Sequence, residues 1–165
     1  MKYLTPCERH ASIKDIDFEK LHRMGIISLI FDIDNTLVPD GADSTPEIKT
    51  LISELKKQFR ICLLSNNELA RVKPFAESLD VDYICHARKP SPDGYKTAIK
   101  TMKTDAVHSC MIGDQLFTDI YGANKLNIYS ILVTPISKKE PFAVRIKRIP
   151  EKIAIALINN EARLS

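Results

Sequence analysis

The chain predicts an α/β domain of three layers, with helices on both faces of a mostly parallel, five-stranded sheet, and three observations predict it. Short apolar runs rich in β-branched residues recur at 26–32, 60–64, 81–85, 107–112 and 128–133, a length and continuity that suit strands buried on both faces. Stretches of helical period separate them, the alternation that builds a parallel sheet. Residues able to do chemistry follow the ends of the runs: Asp32 and Asp34, Ser65, Lys89 in the loop after the third run, and Asp114. All strand ends of a parallel sheet share one edge, where open α/β sheets bind their ligands.

Taken in order, residues 1–24 read as an N-terminal arm leading into a short helix. Ser12 or Asp15 would cap it, and Ile13, Ile16, Leu21 and Met24 would form its apolar stripe. Gly25 fits the C-cap, and the strand 26–32 follows. A turn-rich loop spans 38–44, and then Thr45 as cap with Pro46 at the first helical position opens a helix to about Gln58, buried through Leu51, Ile52 and Leu55. The strand 60–64 runs into Ser65, Asn66 and Asn67. A helix over 68–79 carries Leu69, Val72, Phe75, Ala76 and Leu79 inward, with Pro74 a local irregularity. The strand 81–85 leads through the loop 87–92 into a helix ending near Met102. The strand 107–112 precedes Gly113, Asp114 and Gln115, and Thr118 or Asp119 starts a helix to about Lys125. After the strand 128–133 come a basic segment, 134–150, and a helix over 150–162. No repeat, low-complexity tract or interior linker interrupts the chain, so 1–165 reads as one domain.

Composition bounds the function classes. A hydrophobic share of 44% and a charged share of 27% are ordinary for a globular protein. No apolar run reaches the roughly 18 residues that span a bilayer. The N-terminus lacks the apolar core of a signal peptide, and the expected compartment is the cytoplasm. Cys7, Cys62, Cys85 and Cys110 form no C-x-x-C pair, and Cys62 and Cys110 fall inside apolar runs, as buried reduced thiols would. His108, entering a strand, reads as a packed residue rather than a ligand. Charge is uneven: residues 1–133 carry a net −1, whereas 134–150 carry a net +4.

At the shared edge the residue types point to phosphate chemistry. Asp32, Asp34, Asp114 and Asp119 make an oxygen-only donor set, which favours a hard cation such as Mg²⁺ over zinc. A lysine and a serine beside them can hold phosphate oxygens. An aspartate attacks phosphorus once cations screen the substrate, giving an aspartyl-phosphate that water then hydrolyses. Each residue alone also has a structural use, as turn former, helix cap or solvated loop residue. It is their joint order along the chain that carries the functional reading.

That order resembles a known family. Asp32-Ile33-Asp34-Asn35-Thr36-Leu37 is similar to the first motif, D-x-D-x-T, of the haloacid-dehalogenase-like (HAD) phosphatases. Ser65 resembles their second motif, Lys89 in Arg-Lys-Pro their third, and Gly113-Asp114-Gln115-Leu116-Phe117-Thr118-Asp119 their fourth. With the N-terminal Ile13-Lys14-Asp15-Ile16-Asp17 segment, the strings look most like the small IIIA, YqeG-like branch, over roughly residues 3–150. The resemblance implies a Rossmann-like HAD fold with Asp32 as nucleophile and Mg²⁺ ligand. Asp34 would be general acid and then base, its backbone carbonyl on the metal. Thr36 would hold the loop, Ser65 and the Asn66 amide would bind the phosphoryl group, and Lys89 would neutralise charge. Asp114 would ligate Mg²⁺, with Asp119 behind it or acting through a water. The roles of Asn67, Arg88 and Gln115 stay open.

Family members with a cap domain insert it between the first and second motifs or the second and third. Only 33 positions separate Asp32 from Ser65 and 24 separate Ser65 from Lys89, intervals that one crossover helix fills. No cap is expected, so the site should suit a phosphate on something large, or a small sugar or nucleotide phosphate enclosed by oligomerisation. The branch resembles phosphatidylglycerophosphate phosphatases, and the basic segment offers a peripheral contact with an anionic membrane. A single aromatic, Phe142, lies in that segment, which disfavours nucleic acid. The competing class is a catalytically idle interaction module on the same fold. The oligomeric state stays open.

Overall fold

The computed structural model describes residues 2–137. Six strands form one sheet in the order β1-β6-β5-β2-β3-β4, every pairing parallel. They are β1 (Glu8–His10), β2 (Ser28–Phe31), β3 (Arg60–Leu64), β4 (Asp82–Ile84), β5 (Ser109–Gly113) and β6 (Tyr129–Val133). Five correspond to the apolar runs. The sixth, β1, lies in the N-terminal arm and pairs in register with β6, Glu8 opposite Ile131 and His10 opposite Val133. Its three polar residues give no apolar signal, because an edge strand this short keeps its side chains partly in solvent.

The helices are α1 (Phe18–Arg23), α2 (Pro46–Leu55), α3 (Leu69–Leu79), α4 (Pro92–Thr101) and α5 (Tyr121–Lys125). Side chains alternate across the sheet, which splits the core in two. Leu29, Phe31, Ile61, Leu63, Cys110 and Ile112 meet Leu21, Ile52, Val72, Phe75 and Leu79 of α1, α2 and α3. Ile30, Cys62, Leu64 and Met111 face Tyr95 and Ala98 of α4 and Ala123 of α5 on the other side. Both faces are therefore covered, the three-layer arrangement expected. Cys62 and Cys110 are buried free thiols, and Cys7 is exposed.

Several boundaries differ from the expectation. Ser12 caps a separate 3₁₀ turn, Ile13–Asp15, and Asp17 caps α1 through the Lys20 N–H. Gly25 does follow the helix with φ +90, a conformation glycine adopts freely. Met24, placed on the apolar stripe, is 49% exposed and Leu69 is 47% exposed. Both lie at helix ends. His108 is not packed away: its ring Nδ1 pairs with Asp105 at 2.8 Å, half in solvent. Pro74 lies inside α3 without ending it. A five-residue π-helix, Leu116–Ile120, precedes α5 where an α-helix start was expected.

The order of strands reverses at β2. From β2 the chain moves outward to β3 and β4, then returns to add β5 on β2's other side and β6 beyond it. The carboxyl ends of β2 and β5 thus flank a topological switch point, the crevice where such sheets bind ligands. A single helix, α2, joins β2 to β3, and a single helix, α3, joins β3 to β4. Neither interval holds an inserted domain. Among the described residues no helix is long and apolar enough to cross a membrane. The expected basic segment beyond residue 137 and the helix over 150–162 lie outside the described residues.

Candidate active site

Asp32 follows β2 directly, and its N–H donates to Ile112 O at 3.0 Å, which stitches the strand end to β5. The chain then turns sharply. Asn35 takes φ 64, a left-handed conformation that asparagine tolerates better than most residues. Its N–H donates to Val38 O at 2.7 Å, and Leu37 N–H to Ile33 O at 2.9 Å. The turn brings the Thr36 hydroxyl to 3.4 Å from Asp32 Oδ2 and 3.3 Å from Asp114 Oδ1, within reach of either. Thr36 therefore ties the ends of β2 and β5 together.

Lys89 enters from the loop after β4. Its ammonium lies 2.6 Å from Asp32 Oδ1 and 2.7 Å from Asp119 Oδ1, all three side chains buried. The lysine is aimed by Asn66, whose side chain clamps its backbone: Asn66 Nδ2 donates to Lys89 O at 3.2 Å, and Lys89 N–H to Asn66 Oδ1 at 2.7 Å. Ser65 is buried at the end of β3, its hydroxyl accepting from the Asn67 N–H at 3.1 Å.

Asp119 sits on the π-helix, an irregularity that is frequent at functional sites. Its Oδ2 accepts from the Gln115 N–H at 3.0 Å. The Tyr95 hydroxyl donates to Thr118 O at 2.6 Å and lies 3.2 Å from Asp119 O, fixing the backbone that carries the carboxylate. A Cβ at Gly113 would overlap the Asp119 carboxyl group. Only a glycine at the end of β5 admits Asp119 to the cluster.

Asp32, Asp114 and Asp119 are all buried and offer carboxylate oxygens within 4.8 Å of one another. Three carboxylates against one lysine leave an excess of negative charge in a low-dielectric place, and such acids need a cation or a proton. The donor set is all oxygen, so these residues fit a hard divalent cation. Burial pushes the Asp32 carboxyl up to about 6; Lys89 opposes the shift, and Asp119 and Asp34 add to it. For Lys89 burial works against the charge, and Asp119 and Asp32 outweigh it, holding the ammonium above the ordinary lysine value.

Asp34 is held by a separate set of partners. Its Oδ1 accepts from the Gly41 N–H at 2.9 Å and from Arg71 Nη2 at 2.8 Å, and its Oδ2 from the Asn67 side-chain amide. A cavity of about 140 Å³ then brings together Asp32, Asp34, Ser65, Asn66 and Lys89. Asn67 and Gln115, undecided from sequence, line it too, and so do Asn35, Asp40 and Thr118, to which the sequence assigns no role in binding or catalysis. Arg88 is exposed and off that lining. The sequence assigns no role to Arg71 either, although it contacts Asp34. A larger crevice of about 540 Å³ opens at the amino ends of β3 and β4, far along the sheet from these acids, with Lys56, Arg60 and Asp80 on its walls.

Fold and centre together define a class, a Rossmann-like α/β protein with an acid–lysine cluster at the switch point of its sheet. The HAD-hydrolase-like family model matches residues 86–153, a span that includes Lys89, Asp114 and Asp119. The probable phosphatase YqeG of Bacillus subtilis (strain 168) is 32% identical over 165 residues, covering 99% of this chain and 96% of that protein. Phosphatidylglycerophosphate phosphatase 1, chloroplastic/mitochondrial, of Arabidopsis thaliana is 28% identical, covering 93% of this chain, which spans 48% of that longer protein. Among solved structures, the cobalt-bound deoxy-D-mannose-octulosonate 8-phosphate phosphatase of Haemophilus influenzae shares the fold. It has a TM-score of 0.55 at 15% identity, covering 68% of this chain and 70% of that one. The chain belongs to the haloacid-dehalogenase-like (HAD) hydrolases, on their YqeG-like branch.

Proposed function

We propose that the protein is a Mg²⁺-dependent phosphomonoester hydrolase working through an aspartyl-phosphate. The observation that carries the reading is the buried Lys89 ammonium, 2.6 Å from Asp32 and 2.7 Å from Asp119, on a cavity also lined by Asp34, Ser65 and Asn66. Asp32, Asp114 and the Asp34 backbone carbonyl would hold Mg²⁺, with Asp119 close enough to ligate it or a bound water. When bound, the ion screens the phosphoryl oxygens and offsets the buried carboxylates.

An Asp32 carboxylate oxygen attacks phosphorus as the bond to the leaving oxygen breaks. The electron pair of that bond goes to the leaving oxygen, which takes a proton from Asp34. Water, giving its proton to Asp34, then attacks the phosphorus of the aspartyl-phosphate. Phosphate departs, and Asp32 and protonated Asp34 are restored. Ser65 and the Asn66 backbone N–H hold the phosphoryl oxygens while Lys89 balances their charge, so most of the rate gain comes from positioning and electrostatics.

The substrate this reading favours is a phosphate displayed on a large or lipid partner, phosphatidylglycerophosphate first. Three observations support it: the named plant relative, the absence of an inserted domain at the described site, and the origin of the basic segment. Ile136 N–H donates to Asn35 O at 3.1 Å and Ser137 N–H to Asn35 Oδ1 at 3.2 Å. Residues 136 and 137 are thus held at Asn35 on the cavity lining, and this reading includes a peripheral contact of the basic sequence 138–150 with an anionic surface.

The test is hydrolysis of p-nitrophenyl phosphate and of a phosphatase panel that includes phosphatidylglycerophosphate in micelles. EDTA should abolish turnover and added Mg²⁺ restore it, and Asp32→Asn should lose at least about 10³-fold. Activity that survives both chelation and Asp32→Asn would overturn the mechanism. Release from sugar or nucleotide phosphates faster than from the lipid would overturn the substrate.

A further inference from the structure

We propose that Arg71 is the positioning residue for Asp34, holding its carboxyl group where it exchanges protons with the leaving oxygen and the hydrolytic water. The inference rests on the reading of Asp34 as acid and base and goes beyond it to an arginine outside the motif residues.

The geometry is specific. Arg71 projects from the first turn of α3, and its Nη2 donates to Asp34 Oδ1 at 2.8 Å and to Ala42 O at 2.7 Å. The second contact matters as much as the first. Ala42 follows Gly41, whose N–H is the other donor to Asp34 Oδ1, at 2.9 Å. The guanidinium thus grips the carboxylate directly and also anchors the loop that supplies its neighbour's hydrogen bond. Asn67 takes the remaining oxygen, Oδ2, from the loop after β3. With donors from three separate elements on both oxygens, the carboxyl group cannot rotate without breaking contacts on two sides.

The arginine is itself held in place. Its guanidinium lies over the Phe75 ring at 5.2 Å from the centroid, a favourable arrangement four residues along the same helix. Its Nε is buried with no hydrogen-bond partner among the described residues. An orphaned buried donor is unfavourable and calls for an explanation. Holding Nη2 between Asp34 and Ala42 supplies one: the side chain is oriented for those two acceptors even though Nε goes unmatched.

A positioning role has a signature that a purely structural one lacks. A leaving group that departs readily as its anion needs little help from an acid, whereas a poor one needs it fully. Steady-state kcat/KM is measured for a series of aryl phosphates running from p-nitrophenyl phosphate to phenyl phosphate. The wild type, Asp34→Asn, Arg71→Met and Arg71→Lys are compared, with thermal melting to establish that each is folded. Asp34→Asn should lose progressively more rate as the leaving group worsens. Arg71→Met should follow the same trend part of the way, with roughly 10-fold loss on phenyl phosphate and less than about 2-fold on p-nitrophenyl phosphate. Arg71→Lys should recover most of it. Should Arg71→Met fail to fold, Asn67→Ala takes its place against the same trend.

A uniform loss across the series in the Arg71 variants, while Asp34→Asn shows the graded loss, overturns the positioning role and leaves the phosphatase reading standing. A flat response in Asp34→Asn overturns the acid–base role of Asp34 and the inference with it. No turnover of any phosphate by the wild type overturns the functional reading itself.

Discussion

Removing the lysine from the acidic cluster is the sharpest physical test of the site. Lys89 contacts two carboxylates with N–O distances of 2.6 and 2.7 Å, and its side chain is 4% exposed. At an effective dielectric near 20, each contact has a gross attraction of about 6 kcal/mol. Desolvation of the three ions offsets much of that, and removal of one partner from such a buried pair costs about 3–5 kcal/mol. In a domain of this size each kcal/mol moves Tm by roughly 3 °C, so Lys89→Met should lower Tm by about 10–15 °C. The measurement is calorimetric unfolding at neutral pH with EDTA present. Asp119→Asn on the Lys89→Met background should return part of the loss, because it removes one of the stranded charges. A Lys89→Met protein melting within about 2 °C of wild type would refute the claim that the lysine balances buried acids.

Two further substitutions probe the scaffold. A Cβ on Gly122 would lie 2.5 Å from Tyr95 Oη, and Tyr95 is fully buried, so Gly122→Ala should destabilise by about 1–3 kcal/mol in chemical denaturation. It should also weaken divalent-cation binding, read by titration calorimetry, by shifting the tyrosine that braces Thr118 and Asp119. On the edge strand, Glu8 accepts from Lys20 Nζ and the Tyr129 hydroxyl, each at 2.8 Å, and pairs with His10. Burial raises its carboxyl, but the hydrogen bonds from Lys20, His10 and Tyr129 outweigh that and hold it down at about 2, against an ordinary 4.5. A depressed carboxyl contributes stability above its unfolded value and loses it as pH falls through the folded one. Glu8→Gln should therefore melt below wild type at pH 7, with the gap closing between about pH 4.5 and pH 2 in a circular-dichroism series.

Most of the fold was legible because four strands are largely buried on both faces and read as plain apolar runs, and the half-buried edge strand β4 still carries Tyr83 and Ile84. β1 was not, and the reason is burial. Glu8, Arg9 and His10 join β6 in a backbone ladder, with the Tyr129 hydroxyl on Glu8 as an added side-chain contact, and backbone pairing leaves no trace in side-chain pattern. The start of α5 differs from the expectation for another reason. Thr118 and Asp119 are good capping residues, but Asp119 turns inward to Lys89 and the Gln115 N–H, and the backbone opens into a π turn to let it.

The site divides along the same line. Asp32, Ser65, Lys89 and Asp114 were legible because each lies at or just beyond a strand end, and a parallel sheet gathers such ends without further information. The surroundings of Asp34 depend instead on how the loop 38–44 folds back, which no periodicity encodes. Arg71 is the instructive case, because part of its position could have been reasoned out. Val72, Phe75, Ala76 and Leu79 are the buried face of α3, so Arg71 borders that face and stands one turn before Phe75, where a guanidinium can cover a ring. α3 also starts within a few residues of the end of β3, so its first turn must lie at the same edge as Ser65 and Asn66. A cation on the border of a buried face, in the first turn after a strand end at the switch point, is held near the acid–lysine cluster by topology alone. Leu69, two residues earlier, shares the helical spacing of the inward residues yet is exposed. In the first turn of such a helix the inward direction leads toward the site as much as toward the core, so polar residues there carry more information than apolar ones.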